Sequence, residues 1–450
     1  MKLKCILCLG SMAIAIAGNA QTYDWRPDTL ATGMGYADDA YFNLDEGQVG
    51  TAPNNNWDLA FPGASGSFLR HTVITNNYGN GLSGQLFDLE VTDASFGTDL
   101  TADTAGKTPL TNVPETWEEG AFGVAQGMGG VNPSSWGEYD EETHFINGDK
   151  VYAYINTNGA YQIWLEQFQA SATPANRKWI FHVANLDGTD TATIIFEPAP
   201  DFNNKHLAYF NLQTREFINR DPDYGTWHLL ATKYGDSGYM GPSIMSTTGI
   251  LTAPTVVVAV AENVVPDDAD EADYADAYSE NRNEIGGKYK ALNDVYEWEV
   301  KDSLSYFIKS VYGEDTGDIW QVYFDYFPTA TSGTDVKIGA QVRKVLDYVP
   351  NNDDTTSIQS INEVIGNIVL APNPSNGSST NLLIDAKKEL KNMQIVISDI
   401  SGRVMQTATK NISAGFHQLR LDVSGYAPGL YMITLNGEGW RTTQKLIISR

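Results

Sequence analysis

The stretch Gly317-Asp318-Ile319-Trp320-Gln321-Val322-Tyr323-Phe324-Asp325-Tyr326-Phe327 decides the fold class. In an extended chain Trp320, Val322, Phe324 and Tyr326 fall on one face, because successive side chains of a strand point to opposite sides. Val336, Ile338, Ala340 and Val342 repeat the alternation after Ser332-Gly333, and the two runs together predict a hairpin. Helix is sparse: the acidic run from Asp267 to Glu280 predicts one at most, as a solvated surface element. The fold expected is mainly β.

The same pattern has an earlier copy. Gly159-Ala160-Tyr161-Gln162-Ile163-Trp164-Leu165-Glu166-Gln167-Phe168 parallels it. A second pair keeps the order: Tyr41-Phe42-Asn43-Leu44 with Trp57-Asp58-Leu59-Ala60-Phe61, then Tyr209-Phe210-Asn211-Leu212 with Trp227-His228-Leu229-Leu230-Ala231. We read a diverged tandem duplication giving two β lobes, 21–205 and 206–349.

Outward from these segments, composition narrows the function. Ten Trp, 23 Tyr and 17 Phe in 450 residues supply large cores and rule out disorder of the whole chain. A formal net charge of −27 repels nucleic-acid phosphates and anionic lipid surfaces, so neither is an expected partner. The N-terminus carries Lys2 and Lys4, an apolar run from Cys5 to Ala17 and the small residues Gly18 and Ala20, which reads as a signal peptide over 1–20 cleaved between Ala20 and Gln21. No later run approaches the length of a transmembrane helix. Cys5 and Cys8 both lie in that signal, so the mature chain expects no disulfides, thiolate metal sites or cysteine nucleophile.

Beyond Pro350 the character changes. Residues 350–366 open with Pro350-Asn351-Asn352-Asp353-Asp354-Thr355-Thr356-Ser357 and read as a linker. From Asn367 to Arg450 basic residues outnumber acidic ones, the reverse of the segment before. Leu419, Leu421 and Val423 alternate with Gln418, Arg420 and Asp422, as Met393, Ile395 and Ile397 do with their neighbours, predicting a small immunoglobulin-like β-sandwich over 367–450.

Five motifs occur in register there: Ala371-Pro372-Asn373-Pro374, Ser398-Asp399-Ile400-Ser401-Gly402-Arg403-Val404, Leu421-Asp422-Val423-Ser424-Gly425, Pro428-Gly429-Leu430-Tyr431 and Lys445-Leu446-Ile447-Ile448. The segment resembles the type A C-terminal sorting domain of the bacterial type IX secretion system. That resemblance implies passage through the periplasm to the outer surface of a Gram-negative bacterium. It implies as partners the secretion machinery, its sortase-like protease and surface lipopolysaccharide, with Pro372, Asn373, Pro374, Gly402, Arg403, Gly429, Tyr431 and Lys445 as the motif residues.

The body carries shorter matches. Besides the Tyr41 to Phe61 opening they are Thr75-Asn76-Asn77-Tyr78-Gly79, Ala184-Asn185-Leu186-Asp187-Gly188-Thr189, Asn283-Glu284-Ile285-Gly286 and Tyr306-Phe307-Ile308-Lys309. Together they resemble HmuY-like secreted proteins, a haem-acquisition family of mainly β fold, and their longer relatives that end in the same sorting domain. Haem without thiolates needs His or Met axial ligands. The candidates are His71, His144, His182, His206 and His228, with Met34, Met128, Met240 and Met245. His228 stands where the first repeat has Asp58, and no two candidates fall at a ligand-like spacing.

Catalytic and metal motifs give little. Gly235-Asp236-Ser237-Gly238 copies a serine-protease string without its context and reads as a Gly-rich loop. Asp267 to Asp273 lacks the glycine and terminal glutamate of a calcium loop. Trp57, Trp164, Trp179, Trp227 and Trp320 sit in apolar runs and are expected to pack cores rather than stack sugars. We expect no catalytic and no metal residues. The expected function is a non-enzymatic, exported ligand-binding protein with haem or a haem protein first as ligand, a carbohydrate-binding or adhesive module second, and an unrecognised hydrolase last.

Overall fold

The structure is a computed structural model that describes residues 24–65, 71–126, 135–171, 173, 176–236, 244–313, 316–328, 335–347, 364–375, 378–399, 403–437 and 440–449. The signal segment with Ala20 and Gln21, most of the 350–366 linker, Met128, Met240, Ser237, Gly402 and the Ser332-Gly333 turn lie outside the described residues.

The hairpin that opened the reading is formed. Ile319–Tyr326 pairs antiparallel with Asp335–Leu346, Val322 opposite Val342 and Phe324 opposite Ala340. Trp320, Val322 and Phe324 are buried, each contributing about 1.5–3 kcal/mol of apolar burial. Tyr326, expected on the same face, is exposed. The register slips between Phe324 and Tyr326, and the bulge turns Tyr326 outward.

Four antiparallel layers make up the body. The first outer sheet runs Arg26–Met34, Asp335–Leu346, Ile319–Tyr326, Leu304–Ser310, Val256–Glu262. The first inner sheet runs Met245–Thr252, Leu229–Asp236, Asp38–Asn43, Gly47–Pro53. The second inner sheet runs Glu216–Ile218, Leu207–Asn211, Leu59–Pro62, Ile74–Thr75. The second outer sheet carries Ala192–Phe196, Lys178–Asn185, Gly159–Gln169, Lys150–Asn156 and Gln85–Thr92, with short strands Phe145–Asn147 and Glu138–Tyr139 at one end. One core fills the space between the first outer and first inner sheets, including Phe42, Leu229 and Trp320. Another joins the second pair, including Phe61, Phe181 and Phe210. A third lies between the two inner sheets, where Tyr41, Leu230 and Leu251 meet Ala60, Leu207 and Tyr209. Inner strands are thus covered on both faces, which is why Leu59-Ala60-Phe61 reads as an unbroken apolar run.

Segments 21–205 and 206–349 do not each build one half of this stack. Arg26–Met34 joins the outer sheet formed by the later segment, whereas the strands of the opposite outer sheet all come from the earlier one. Each inner sheet draws strands from both segments, with Asp38–Asn43 beside Leu229–Asp236 and Leu207–Asn211 beside Leu59–Pro62. The two pairings have one register: Phe42 faces Leu229 as Phe210 faces Leu59, and Tyr41 faces Leu230 as Tyr209 faces Ala60. Side chains repeat it too. Asn43 Nδ2 donates to the Thr226 carbonyl at 3.1 Å, as Asn211 Nδ2 does to Asn56 at 3.0 Å.

Between Asp267 and Glu280, where a helix is expected, there are only 3-10 turns at Pro266–Asp268 and Glu271–Asp273. The run is also less solvated than its charge suggests: Ala269 is buried, and Tyr274 and Tyr278 pack on Phe307 and Ile319. The C-terminal module is a sandwich of a three-stranded sheet, Ile365–Ala371, Ser379–Ala386 and Gly415–Asp422, and a four-stranded one, Val404–Ile412, Leu390–Asp399, Gly429–Gly437 and Trp440–Ile448, around a shared core. It starts at Ile365, inside the stretch read as linker, because Ile365 pairs with Ala386.

Candidate functional site: a cationic cavity between the inner sheets

Where the inner sheets face each other, the repeated aromatics meet. Trp227 packs edge-on to Tyr41 with centroids 5.3 Å apart, and Trp57 does the same to Tyr209 at 4.9 Å. Both tyrosine hydroxyls donate to the buried Asp221 carboxylate, Tyr209 at 2.9 Å. Burial pushes the Asp221 carboxyl up to about 6.

Beside this centre lies a cavity of about 70 Å³. Its walls include Trp57, Trp117, Tyr209 and Tyr234, the cations Arg220, Lys233 and Arg282, and the carboxylate of Asp39. Arg220 and Asp39 form an ion pair at 2.8 Å with side chains only 3% and 5% exposed. The Arg220 guanidinium lies 4.7 Å from the centre of the Tyr209 ring, and its Nη2 also donates to the Pro53 carbonyl at 2.9 Å. Thr232 donates to the other Asp39 oxygen at 2.5 Å.

Arg282 and Lys233 are held differently. Arg282 donates from Nε to the Pro114 carbonyl at 2.8 Å and from Nη2 to Val113 at 3.0 Å, with its charge over the Trp117 ring at 4.5 Å. Lys233 donates to Asn80 Oδ1 at 3.0 Å. Burial pushes Arg282 down to about 10 and lowers Lys233 as well. Among the described residues no carboxylate pairs with either cation within 4 Å. The amides on the cavity wall are engaged by backbone: Asn76 Nδ2 holds the Asn54 and Trp57 carbonyls, and Asn112 Nδ2 holds Thr75.

Sequence reasoning did not single out these cations. They are isolated residues far apart in the chain, and only the packing of the inner sheets brings them together. Of the tryptophans expected in cores, Trp179, Trp227 and Trp320 are fully buried, whereas Trp57 is half-buried and lines the cavity.

The five histidines lie in separate places. His144 is exposed and bonded to the Tyr139 hydroxyl at 2.7 Å. His182 stacks on Trp164 at 4.2 Å and meets Glu166 at 2.5 Å on the second outer sheet. His228 is buried, its Nδ1 accepting the Leu44 N–H at 3.1 Å, and burial pushes it down to about 4. His206 is buried edge-on to Trp117 at 5.1 Å, and His71 is buried with its carbonyl accepting from Trp136 at 2.9 Å. Met34 and Met245 are surface residues. None of the cavity-lining residues is a His or Met, and among the described residues no group of three or more acidic or histidine side chains is arranged to hold a metal ion.

In the C-terminal sandwich the motif residues surround the last strand. Asn373 Nδ2 donates to the Lys445 carbonyl and its Oδ1 accepts the Ile447 N–H, both at 2.8 Å. The Pro372 carbonyl accepts from Thr380 at 2.9 Å, and Ser375, just after Pro374, donates its N–H to Ile447. Gly429 and Tyr431 lie opposite Ile448 and Leu446, and the Tyr431 hydroxyl donates to Ala427 at 2.9 Å. Exposed Arg403 pairs with Asp399 at 3.0 Å.

Residues 369–449 match the family model of the secretion system C-terminal sorting domain. The chain matches no curated protein. The C-terminal module is therefore a type IX sorting domain, and the protein is delivered to the cell surface or the extracellular space of a Gram-negative bacterium.

Proposed function

We propose that the chain is an exported binding protein, not an enzyme: a signal peptide starts export, the sorting domain is read by the secretion machinery and removed by its sortase-like protease, and the body is released or attached to surface lipopolysaccharide. The body binds a small ligand in the cavity between its inner sheets. The observation that carries this reading is the set of cations and aromatic side chains around that cavity, where Arg282 is buried with no carboxylate among the described residues within 4 Å, since buried charge is costly unless something complements it. Half-buried Trp57 and Tyr78 line the cavity, and aromatic side chains of this kind stack on rings, which favours a sugar or other cyclic ligand. Haem, the ligand implied by the HmuY resemblance, finds no pair of axial ligands here, because the cavity wall has neither His nor Met.

Two measurements test the two parts. Deleting residues 365–450 should strand the body in the periplasm; a truncated chain that still reaches the surface contradicts the export part. For binding, sugars and small cyclic metabolites are screened by thermal shift against the full chain and Lys233→Trp, whose indole plugs the rim. Stabilisation that disappears in the variant is expected, and stabilisation that survives it places the ligand elsewhere.

A further inference from the structure

We infer that the cavity is an anion site, built for the carboxylate of a small cyclic acid whose ring rests on the aromatic rim. This rests on the reading of the body as a binding module and names its ligand class. The argument is an inventory of what the walls have left to give. The amides of Asn76 and Asn112 are engaged by backbone, and the Asp39 carboxylate is taken by Arg220 and Thr232. What remains is donors. Arg220 Nε and Trp57 Nε1 have no hydrogen-bond partner, but both atoms are closed off from open space, so the donors able to reach a ligand are those of Arg282 and Lys233. Arg282 spends Nε and Nη2 on two carbonyls and makes no bond from Nη1, and Lys233 spends one of three protons on Asn80.

Charge agrees with the inventory. Asp39 neutralises one of the three cations, leaving Arg282 and Lys233 without a paired carboxylate in a chain of net charge −27. Of the acids around them, Asp236 accepts from Tyr234 at 2.7 Å, Asp221 accepts from Tyr41 and Tyr209, and Glu115 acts on Arg282 only as a charge, with no ion pair within 4 Å. Burial lowers both Lys233 and Arg282, the cost that a bound anion would offset. Size sets the pose. About 70 Å³ is roughly half of the ~150 Å³ cavity that takes up a benzene, so it holds a group comparable to a carboxylate, not a whole ring. The ring therefore stays at the rim with Trp57 and Tyr78, where Gly235 lets the Tyr78 ring come close.

The test is calorimetric titration of the full chain with two matched pairs, glucuronate against glucose and benzoate against benzyl alcohol. At least one acid should bind about tenfold or more tighter than its neutral partner, and Lys233→Met, which keeps the chain length and removes the charge, should weaken that acid about tenfold while leaving the melting temperature unchanged. Acids that bind no better than their neutral partners, whether both bind or neither does, overturn the anion assignment. Neutral ligands that bind and are displaced by Lys233→Trp but indifferent to Lys233→Met would leave the binding module standing and remove only the anion. An acid that binds equally to wild type and both variants sits outside the cavity, which also overturns it.

Discussion

At the end of Asp38–Asn43 the Leu44 N–H is met by Nδ1 of His228; at the end of Leu207–Asn211 the Leu212 N–H is met by Oδ2 of Asp58 at 2.6 Å. Backbone repeats as well, with the His228 N–H donating to Phe42 at 2.8 Å and that of Asp58 to Phe210 at 2.9 Å. One frame is therefore built twice, and a neutral imidazole or a carboxylate serves equally as the acceptor the buried corner requires. The cavity is where the halves part. Lys233 falls in step with Gly63, counting from Leu229 and Leu59, and a Cβ at Gly63 would collide with the Lys205 carbonyl. The position open to a lysine in one half is closed by chain in the other. What the halves share is architecture, and what they do not share is the candidate site.

The sharpest way to break the comparison is truncation at the two corners. His228→Ala removes an acceptor and a ring lying 5.0 Å from Trp320, and should cost about 3–5 kcal/mol in urea unfolding. Asp58→Ala removes an acceptor for Leu212 and for Asn156 but less volume, and should cost about 1–3 kcal/mol. The reverse ranking would show that the lost acceptor, not the lost volume, decides the cost.

Titration separates the corners by sign. Burial pushes Asp58 up to about 6, so the folded state holds its proton more tightly and the contribution of Asp58 to stability is lost as pH rises from about 4 through 6. Burial pushes His228 down to about 4, so its contribution is present above about 6.5 and lost as pH falls toward 4. Each slope amounts to about 3 kcal/mol. Stability measured against pH should lose part of its fall between about 4 and 6 in Asp58→Asn, the rest belonging to Asp221, which is raised to the same value, and should lose its acid-going fall in His228→Asn. A single variant that flattens both would contradict separate corners.

Smaller effects sharpen the contrast at the cavity. Gly63→Ala should cost about 1–3 kcal/mol through the clash with Lys205, read from the melting transition. Lys233→Met should change stability by about 0.5 kcal/mol or less, because Lys233 makes one hydrogen bond and carries a burial penalty. A large loss there would make Lys233 a structural residue.

How legible this was depends on range. The hairpin at Ile319–Tyr326 and the sorting sandwich are local alternations, so their strands could be read from period and turn residues. The repeated motifs were visible as text, but the partner of each inner strand was not, because Asp38–Asn43 beside Leu229–Asp236 is a pairing across most of the body. The candidate site was invisible for the same reason. Arg220, Lys233 and Arg282 come from different elements, and a lone cation in an acidic chain carries no mark of burial. Tyr326 was misplaced because a bulge leaves no signature in alternation.

The account stands on the cavity between the inner sheets as a carboxylate site, and a crystal of the full chain soaked in 4-bromobenzoate tests it most directly. Anomalous scattering should place bromine beside Trp57 and Tyr78, with the carboxylate turned inward to Arg282 and Lys233. Bromine on another surface, or none at saturating concentration, would contradict it.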